Sequence, residues 1–282
     1  MKATVMTRRG DRDHRGVGGA VTELMEAAQR HGVTVCMTEE EAAKHQLAPG
    51  TVDVCRVSQD VDICIVLGGD GTILGAMREY AETVVPVFAV NFGEVGFLAT
   101  MDPEGIREGL ELAFTRNFDT MAMPGITLGY ADERWVAFND ISVHRQAGKR
   151  VADLSYAIGG EEIGRVRCDG LVVSTPAGST GYNLANGGPV LAWGVEGYVV
   201  SFIAPHSFTA RALVAAPDDM LTIHNAARGD EAEVHVDGRP TCVLPAQEHI
   251  TVEFGQAYAQ LAQLPGATFY HRLRERFGRL AS

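Results

Sequence analysis

Only five cysteines occur in the 282 residues, and none falls in a CxxC pair or beside histidines at metal-ligand spacing. That excludes a disulfide scaffold and a zinc-finger-type site, and it leads us to expect Cys36, Cys55, Cys64, Cys168 and Cys242 to be buried thiols in a reducing compartment. Positive charge is also short. Lys plus Arg number 24 against 36 Asp plus Glu, a net charge of −12. Such a chain repels phosphate backbones and anionic lipid, so nucleic acid and membrane surfaces are excluded as main partners. No apolar run approaches the ~20 residues of a membrane span. Residues 1–10 carry Arg8 and Arg9 but no apolar signal core, so a cytoplasmic protein is expected. Neither GxGxxG nor GxxxxGKS is present, which disfavours a dinucleotide-fold dehydrogenase and a P-loop NTPase.

What is present is ordinary globular composition, 46% hydrophobic with 32 glycines, at a length that suits two domains. Net charge does not exclude a small nucleotide, because an acidic protein can hold phosphate on backbone amides. Lys2–Met6, Val33–Cys36, Val61–Leu67 and Val84–Val90 read as short strands. Helices are expected at Gly18–His31, Ile73–Glu82 and Asp102–Phe114, the last with Asp102 as N-cap and Pro103 at its first position. Val61–Leu67 (VDICIVL) is almost wholly apolar, as a strand buried on both faces of a parallel sheet would be.

From about Phe118 to Leu264 the texture changes to short runs between turn residues: Trp135–Phe138, Leu154–Ile158, Leu171–Ser174, Tyr198–Ile203, Leu221–His224, Glu233–Val236 and Ile250–Phe254. The expected fold is an α/β N-terminal domain with a parallel sheet (1–115) and a β-rich, sandwich-like C-terminal domain (116–265). Thr268–Leu280 places Phe269, Leu273 and Phe277 on one helical stripe, expected to return to the first domain with 266–282.

Three runs concentrate chemistry. Gly68-Gly69-Asp70-Gly71-Thr72 follows a buried strand and opens a helix, so its glycines let the backbone approach a polyphosphate at a helix N-terminus. Asp70 could accept the proton of an attacking hydroxyl or help organise a metal; the plainer reading makes it an N-cap. With no P-loop lysine, phosphate charge must be offset by amides and a divalent cation. Asn91–Leu98 (NFGEVGFL) is a second glycine turn after a buried strand, in which Phe92, Phe97 and Leu98 read either as ligand contacts or as a hydrophobic plug. The third run, Asp169–Pro189 (DGLVVSTPAGSTGYNLANGGP), is denser in hydroxyls and glycines than a connection needs, and Tyr182 offers a flat face to a base.

With Asn139-Asp140 and Ile203–Ser207 (IAPHS), these runs occur in the order and spacing of NAD kinases of the ATP-NAD/polyphosphate-NAD kinase family. The chain resembles that family from about Val61 to Gly238 and again in its C-terminal FYHRLRERFGRL. The resemblance implies phosphoryl transfer from ATP, another nucleoside triphosphate or polyphosphate to the 2′-hydroxyl of the adenosine ribose of NAD, with Mg²⁺ or Mn²⁺. It makes 1–115 the phosphate-donor domain and 116–265 the NAD-binding domain. It implies Asp70 as proton acceptor, with Gly68, Gly69, Gly71 and Thr72 shaping the phosphate site. Asn139 and Asp140 would contact the adenosine and Asp169 the nicotinamide side. Thr180, Gly181, Tyr182, Asn183, Leu184 and Ala185 would surround the adenine, and Ala204 would line the site across a homodimer or homotetramer interface. Arg150, Arg167 and Arg239 sit where the family places polar NAD contacts. His206 is expected to hydrogen-bond within its turn.

The chain departs from the family pattern with Asp140 for Glu, Ala177 for Thr, Gly181 for Ala, and Ala185-Asn186 for Ser-Ala. These changes bear on affinity and specificity, leaving Asp70 and the phosphate amides intact. Two alternatives use the same features: a lipid-kinase relative sharing the GGDGT turn, and a non-catalytic NAD(P) sensor. An oxidoreductase using NAD as hydride carrier lacks its glycine fingerprint. The metal ligands, the choice of donor and acceptance of NADH are not legible.

Overall fold

A computed structural model describes residues 1–8, 16–48, 50–55, 60–94, 96–266 and 268–278. Arg9, Val95, Arg279 and Leu280, named above, lie outside the described residues. The chain forms two compact units, Met1–Ala122 with Ala259–Ser282, and Met123–Tyr258.

The first unit begins β1 (Lys2–Thr7), α1 (Val17–His31), β2 (Thr34–Met37), α2 (Glu39–Lys44), β3 (Asp53–Val54), β4 (Ile63–Gly68), α3 (Asp70–Glu79), β5 (Pro86–Asn91) and, after a 3₁₀ turn at Pro103–Gly105, α4 (Ile106–Phe114). Its strands run parallel in the order β5-β4-β1-β2-β3, and Gln260 and Leu261 add a parallel pairing beside β5. All six residues of β4 are buried, as expected for a central parallel strand. Helix α1 buries Val17, Ala20, Val21, Leu24, Ala27 and Ala28 against Ile65, Leu67 and Phe88 and ends at Gly32, whose φ of 62° favours glycine.

The structure differs from three expectations. Helix α3 starts at Asp70, three residues before its apolar pattern, because the amides of Thr72 and Ile73 already bond to Gly69 O (2.8 and 3.1 Å). The glycine turn is thus the first turn of the helix. Asp102 and Pro103 take the expected N-cap and first positions, but of a 3₁₀ turn that precedes α4, and the Asp102 side chain makes no cap hydrogen bond. Cys36, Cys64 and Cys168 are buried, but Cys55 and Cys242 are only half-buried; all five are free. Helix α2 went unread although Thr38-Glu39-Glu40-Glu41 has capping-box spacing, and Thr38 Oγ1 indeed accepts from Glu41 N (3.2 Å).

The second unit is antiparallel. Along the chain come β6 (Asp119–Tyr130), β7 (Glu133–Ala137), β8 (Asp140–Arg145), β9 (Ala152–Ile158), β10 (Glu161–Cys168), β11 (Gly170–Ser174), the short α5 (Tyr182–Ala185), β12 (Tyr198–Ile203), β13 (Leu213–Ala215), β14 (Leu221–Asn225), β15 (Ala232–Val236), β16 (Arg239–Leu244) and β17 (His249–Gln263). One sheet has the order β13-β12-β11-β8-β15-β16; the other has β10-β9-β14-β17, with β6 beside β17 and β7 on β6.

Side-chain alternation sorts the two faces of the six-stranded sheet. Ile141, Val143, Leu171, Val173, Val200, Phe202, Val234 and Val236 point into a core shared with Leu154, Ile223 and Val252 of the other sheet. The opposite face carries Asp140, Ser142 and His144 on β8, Ser174 on β11, Ser201 on β12, and Glu233 and His235 on β15; the register sets Ser174 beside Asp140, His235 beside Ser142 and Glu233 beside His144. The sandwich core therefore orients the polar face.

Finally α6 (Phe269–Phe277) belongs to the first unit, and Thr268 Oγ1 caps it through His271 N (3.2 Å). Phe269 and Leu273 are buried as expected, whereas Phe277 is exposed. The helix is anchored by a residue its apolar stripe did not reveal: the buried Arg272 guanidinium donates to the carbonyls of Phe97 (3.1 Å) and Ala99 and to Gln263 Oε1 (2.6 Å). Among the described residues no helix is long and apolar enough to cross a membrane.

Candidate functional site

In the first unit the two glycine turns meet because β4 and β5 are neighbours, with Gly68 paired to Asn91. Phe92 N donates to Gly68 O (3.0 Å). The turns touch backbone to backbone: a Cβ on Gly69 would lie 3.0 Å from Gly93 Cα, and one on Gly93 would lie 2.7 Å from Gly69 Cα. Gly71 differs. A Cβ there would meet nothing within 4 Å. Packing among the described residues gives no reason for that glycine.

Both oxygens of Asp70 are held by the second turn: Phe97 N donates to Oδ2 (3.0 Å) and Leu98 N to Oδ1 (3.1 Å). These two backbone amides fix the rotation of the carboxylate, while each oxygen retains a lone pair for another donor. Phe92, Phe97 and Leu98 are buried within this unit, and Phe97 lies against Phe269 (5.8 Å between ring centroids). The plainer reading of these three as hydrophobic packing describes what their side chains do here.

In the second unit the Asn139-Asp140 pair is clamped from both sides. Asp237, at the tip of the β15–β16 hairpin, accepts from the amides of Phe138, Asn139 and Asp140 (3.1, 2.7 and 3.3 Å), and its own amide donates to Asp140 O (2.8 Å). On the other side Thr175 donates through its amide to Asn139 O (2.9 Å) and through Oγ1 to Phe138 O (2.6 Å). A Cβ on Gly178 would stand 2.0 Å from Asn139 O, so the 169–189 run approaches this loop as only glycine allows.

Asp140 is 7% exposed. Burial, and secondarily repulsion from Asp237, pushes its pKa up from 3.8 to about 7. Beside it the ring of Tyr182, 37% exposed, stacks on His144 with centroids 5.8 Å apart and planes 17° apart. Ser174 Oγ, Ser201 Oγ and His235 Nε2 are buried on the same sheet face without a hydrogen-bond partner among the described residues.

Not every residue singled out above faces outward here. The Asn183 side chain is buried, donating to Ser179 O (3.0 Å) and Pro189 O (2.9 Å), and Thr180 Oγ1 donates to Ala177 O (3.1 Å). Gly181 and Ala185 are exposed and Leu184 half-buried. Asp169 is paired with Arg145 (2.6 Å), a residue sequence reasoning passed over. Arg150 pairs with Asp230 (3.2 Å) at 83% exposure, and Arg167 and Arg239 are exposed. Ala204 adopts a left-handed φ of 43°, and the exposed His206 donates its amide to Arg167 O (2.7 Å).

Among the described residues no group of three or more His, Cys, Asp or Glu side chains is placed to hold a metal ion. The described residues alone supply no cage for the divalent cation expected from the sequence.

Comparison with known proteins finds two family models that together span most of the chain: the ATP-NAD kinase N-terminal domain over residues 14–118 and the ATP-NAD kinase C-terminal domain over residues 138–264. A NAD kinase of Lachnoclostridium phytofermentans is 33% identical over 266 residues, covering 90% of this chain and 92% of that protein. One from Gemmatimonas aurantiaca is 32% identical over 279 residues, covering 95% and 94%. Among solved structures, an Archaeoglobus fulgidus NAD kinase in complex with ATP aligns with a TM-score of 0.76 at 26% identity, over 99% of this chain and 98% of that one. Yeast NADH kinase complexed with NADH aligns with a TM-score of 0.87 over 100% and 88%, a likeness of fold at 22% identity.

Proposed function

Because this chain belongs to the NAD kinase family, we infer that it transfers the terminal phosphoryl group of ATP to the 2′-hydroxyl of the adenosine ribose of NAD, giving NADP, with Asp70 as the proton acceptor. The observation that carries the assignment of Asp70 is its carboxylate, locked by the amides of Phe97 and Leu98 beside a Gly71 that packing among the described residues does not require. Such a carboxylate orients the attacking hydroxyl and takes its proton late, since phosphoryl transfer passes through a loose transition state that depends chiefly on positioning. Gly68, Gly69, Gly71 and Thr72 shape the phosphate site, where backbone amides at the start of α3 meet negative charge. A divalent cation, when bound, would neutralise charge on the donor phosphates.

On the second unit, Asn139 and Asp140 hold the adenosine and Tyr182 stacks on the adenine, with Gly181, Leu184 and Ala185 around it. Asn183 and Thr180 act by shaping the loop. Asp169, steadied by Arg145, faces the nicotinamide half, with Arg150, Arg167 and Arg239 as outer cations. The lipid-kinase and sensor alternatives are not favoured for a chain that belongs to this family over both halves. Assembly as a homodimer or homotetramer and a cytoplasmic location complete the proposal; Phe208, 99% exposed four residues after Ala204, is the kind of side chain a subunit contact covers.

The test is purified protein with NAD, Mg²⁺ and either ATP or polyphosphate, scored for NADP. Formation of NADP is expected with ATP; none with either donor would refute the proposal, and polyphosphate alone would move the donor assignment. Light scattering of the same preparation reads the subunit number.

A further inference from the structure

The polar face of the six-stranded sheet contains two imidazoles that neither the fold nor the proposed chemistry has used. His144 and His235 lie 4.8 Å apart between ring centroids, on the adjacent strands β8 and β15. His144 is fixed by Ser142, whose buried Oγ is 2.8 Å from its Nε2, and by its place on a strand paired on both sides. Its exposed neighbour is less constrained: Tyr182 stands on a helix of four residues directly after Gly181. A ring free to turn about two torsions loses that freedom when a base stacks on it, and a rigid surface behind the ring removes part of that cost.

We propose that His144 is the positioning residue of the Tyr182 ring, backing it face to face so that the phenol is already set for the purine of the dinucleotide. The 17° interplanar angle and 5.8 Å separation are those of an offset stack. Burial and the neighbouring His235 lower the His144 pKa, against an opposing effect of Glu233, so a neutral imidazole lies against the phenol at neutral pH. This inference rests on the reading of Tyr182 as the purine platform.

The test uses the full chain, with NAD titrated calorimetrically in the absence of a donor and steady-state kinetics measured in parallel. His144→Ala is expected to raise the NAD Kd and KM about 2- to 12-fold, the range of one aromatic pair, while leaving kcat and the ATP KM unchanged. His144→Phe, which keeps a ring and discards the imidazole nitrogens, is expected to restore NAD affinity. A rise with Tyr182→Ala but none with His144→Ala overturns the backing role and leaves the platform reading standing. So does a Phe variant as weak as the Ala variant. No change with Tyr182→Ala overturns the platform reading itself, and this proposal with it.

Discussion

Replacing Asp140 by Asn should make the ligand-free protein more stable, and by an amount that depends on pH in a defined direction. The folded-state pKa of Asp140 is raised from 3.8 to about 7 because its carboxyl is buried and faces Asp237. Between those two values the folded chain binds a proton that the unfolded chain has released. Stability therefore falls as pH rises from about 4 to about 7 and is level above that. Over that span, at ~1.4 kcal/mol per pH unit, the cost of the buried charge reaches ~4 kcal/mol. Asparagine has the same shape and no charge to bury. Its advantage in thermal midpoint should be roughly 8–16 °C at pH 8, taking ~2–4 °C per kcal/mol, and should shrink toward zero near pH 4. Differential scanning calorimetry of both proteins across that range reads it directly. A midpoint difference independent of pH, or one that widens toward low pH, would show that Asp140 is not a buried carboxyl of raised pKa. The same substitution should weaken NAD binding, since a carboxylate kept at this cost is explained by ligand contact and not by packing.

Two further substitutions test the scaffolds around the site. Gly178→Ala places a methyl 2.0 Å from Asn139 O, so it should cost more than ~2 kcal/mol in urea unfolding and raise the NAD KM; wild-type values for both would mean that the loop yields. Arg272→Leu should lower stability by about 3 kcal/mol or more by leaving the carbonyls of Phe97 and Ala99 without their donor, and it should lower turnover as well, because Phe97 N also holds Asp70. Loss of stability with unchanged turnover at a permissive temperature would separate α6 from the catalytic turn.

How far the sequence could be read follows from where each signal resides. Strands β4 and β12 were legible because ICIVLG and YVVSFI are apolar along nearly their whole length. Strand β6 was not, since Pro124, Gly125 and Gly129 break its pattern into pieces that look like turns. Strand β10 hides behind the exposed Glu161, Glu162 and Arg165, which leave little apolar alternation to see. At the site, Gly68–Thr72 and the 169–189 run announce themselves by local density. Asp237 does not: it acts on amides 97 to 99 residues away, and only the register of β8 against β15 brings them together. His144 was equally hidden, as one polar residue of an alternating strand whose partner ring lies 38 residues on, while Arg145 could be recognised only once Asp169 was placed beside it. Local chemistry was legible, and the supports that aim it were a product of sheet topology.

Whether Asp70 is the proton acceptor in phosphoryl transfer to NAD is decided by the turnover of Asp70→Asn in a coupled assay for NADP with ATP and Mg²⁺, alongside calorimetric NAD binding and thermal midpoint. Asparagine offers a single acceptor oxygen to the amides of Phe97 and Leu98, so a modest fall in midpoint is expected. NAD binding should be retained with turnover lower by about 10²-fold or more, the contribution of a positioned base; turnover near that of the wild type, at equal binding, would rule out that role for Asp70.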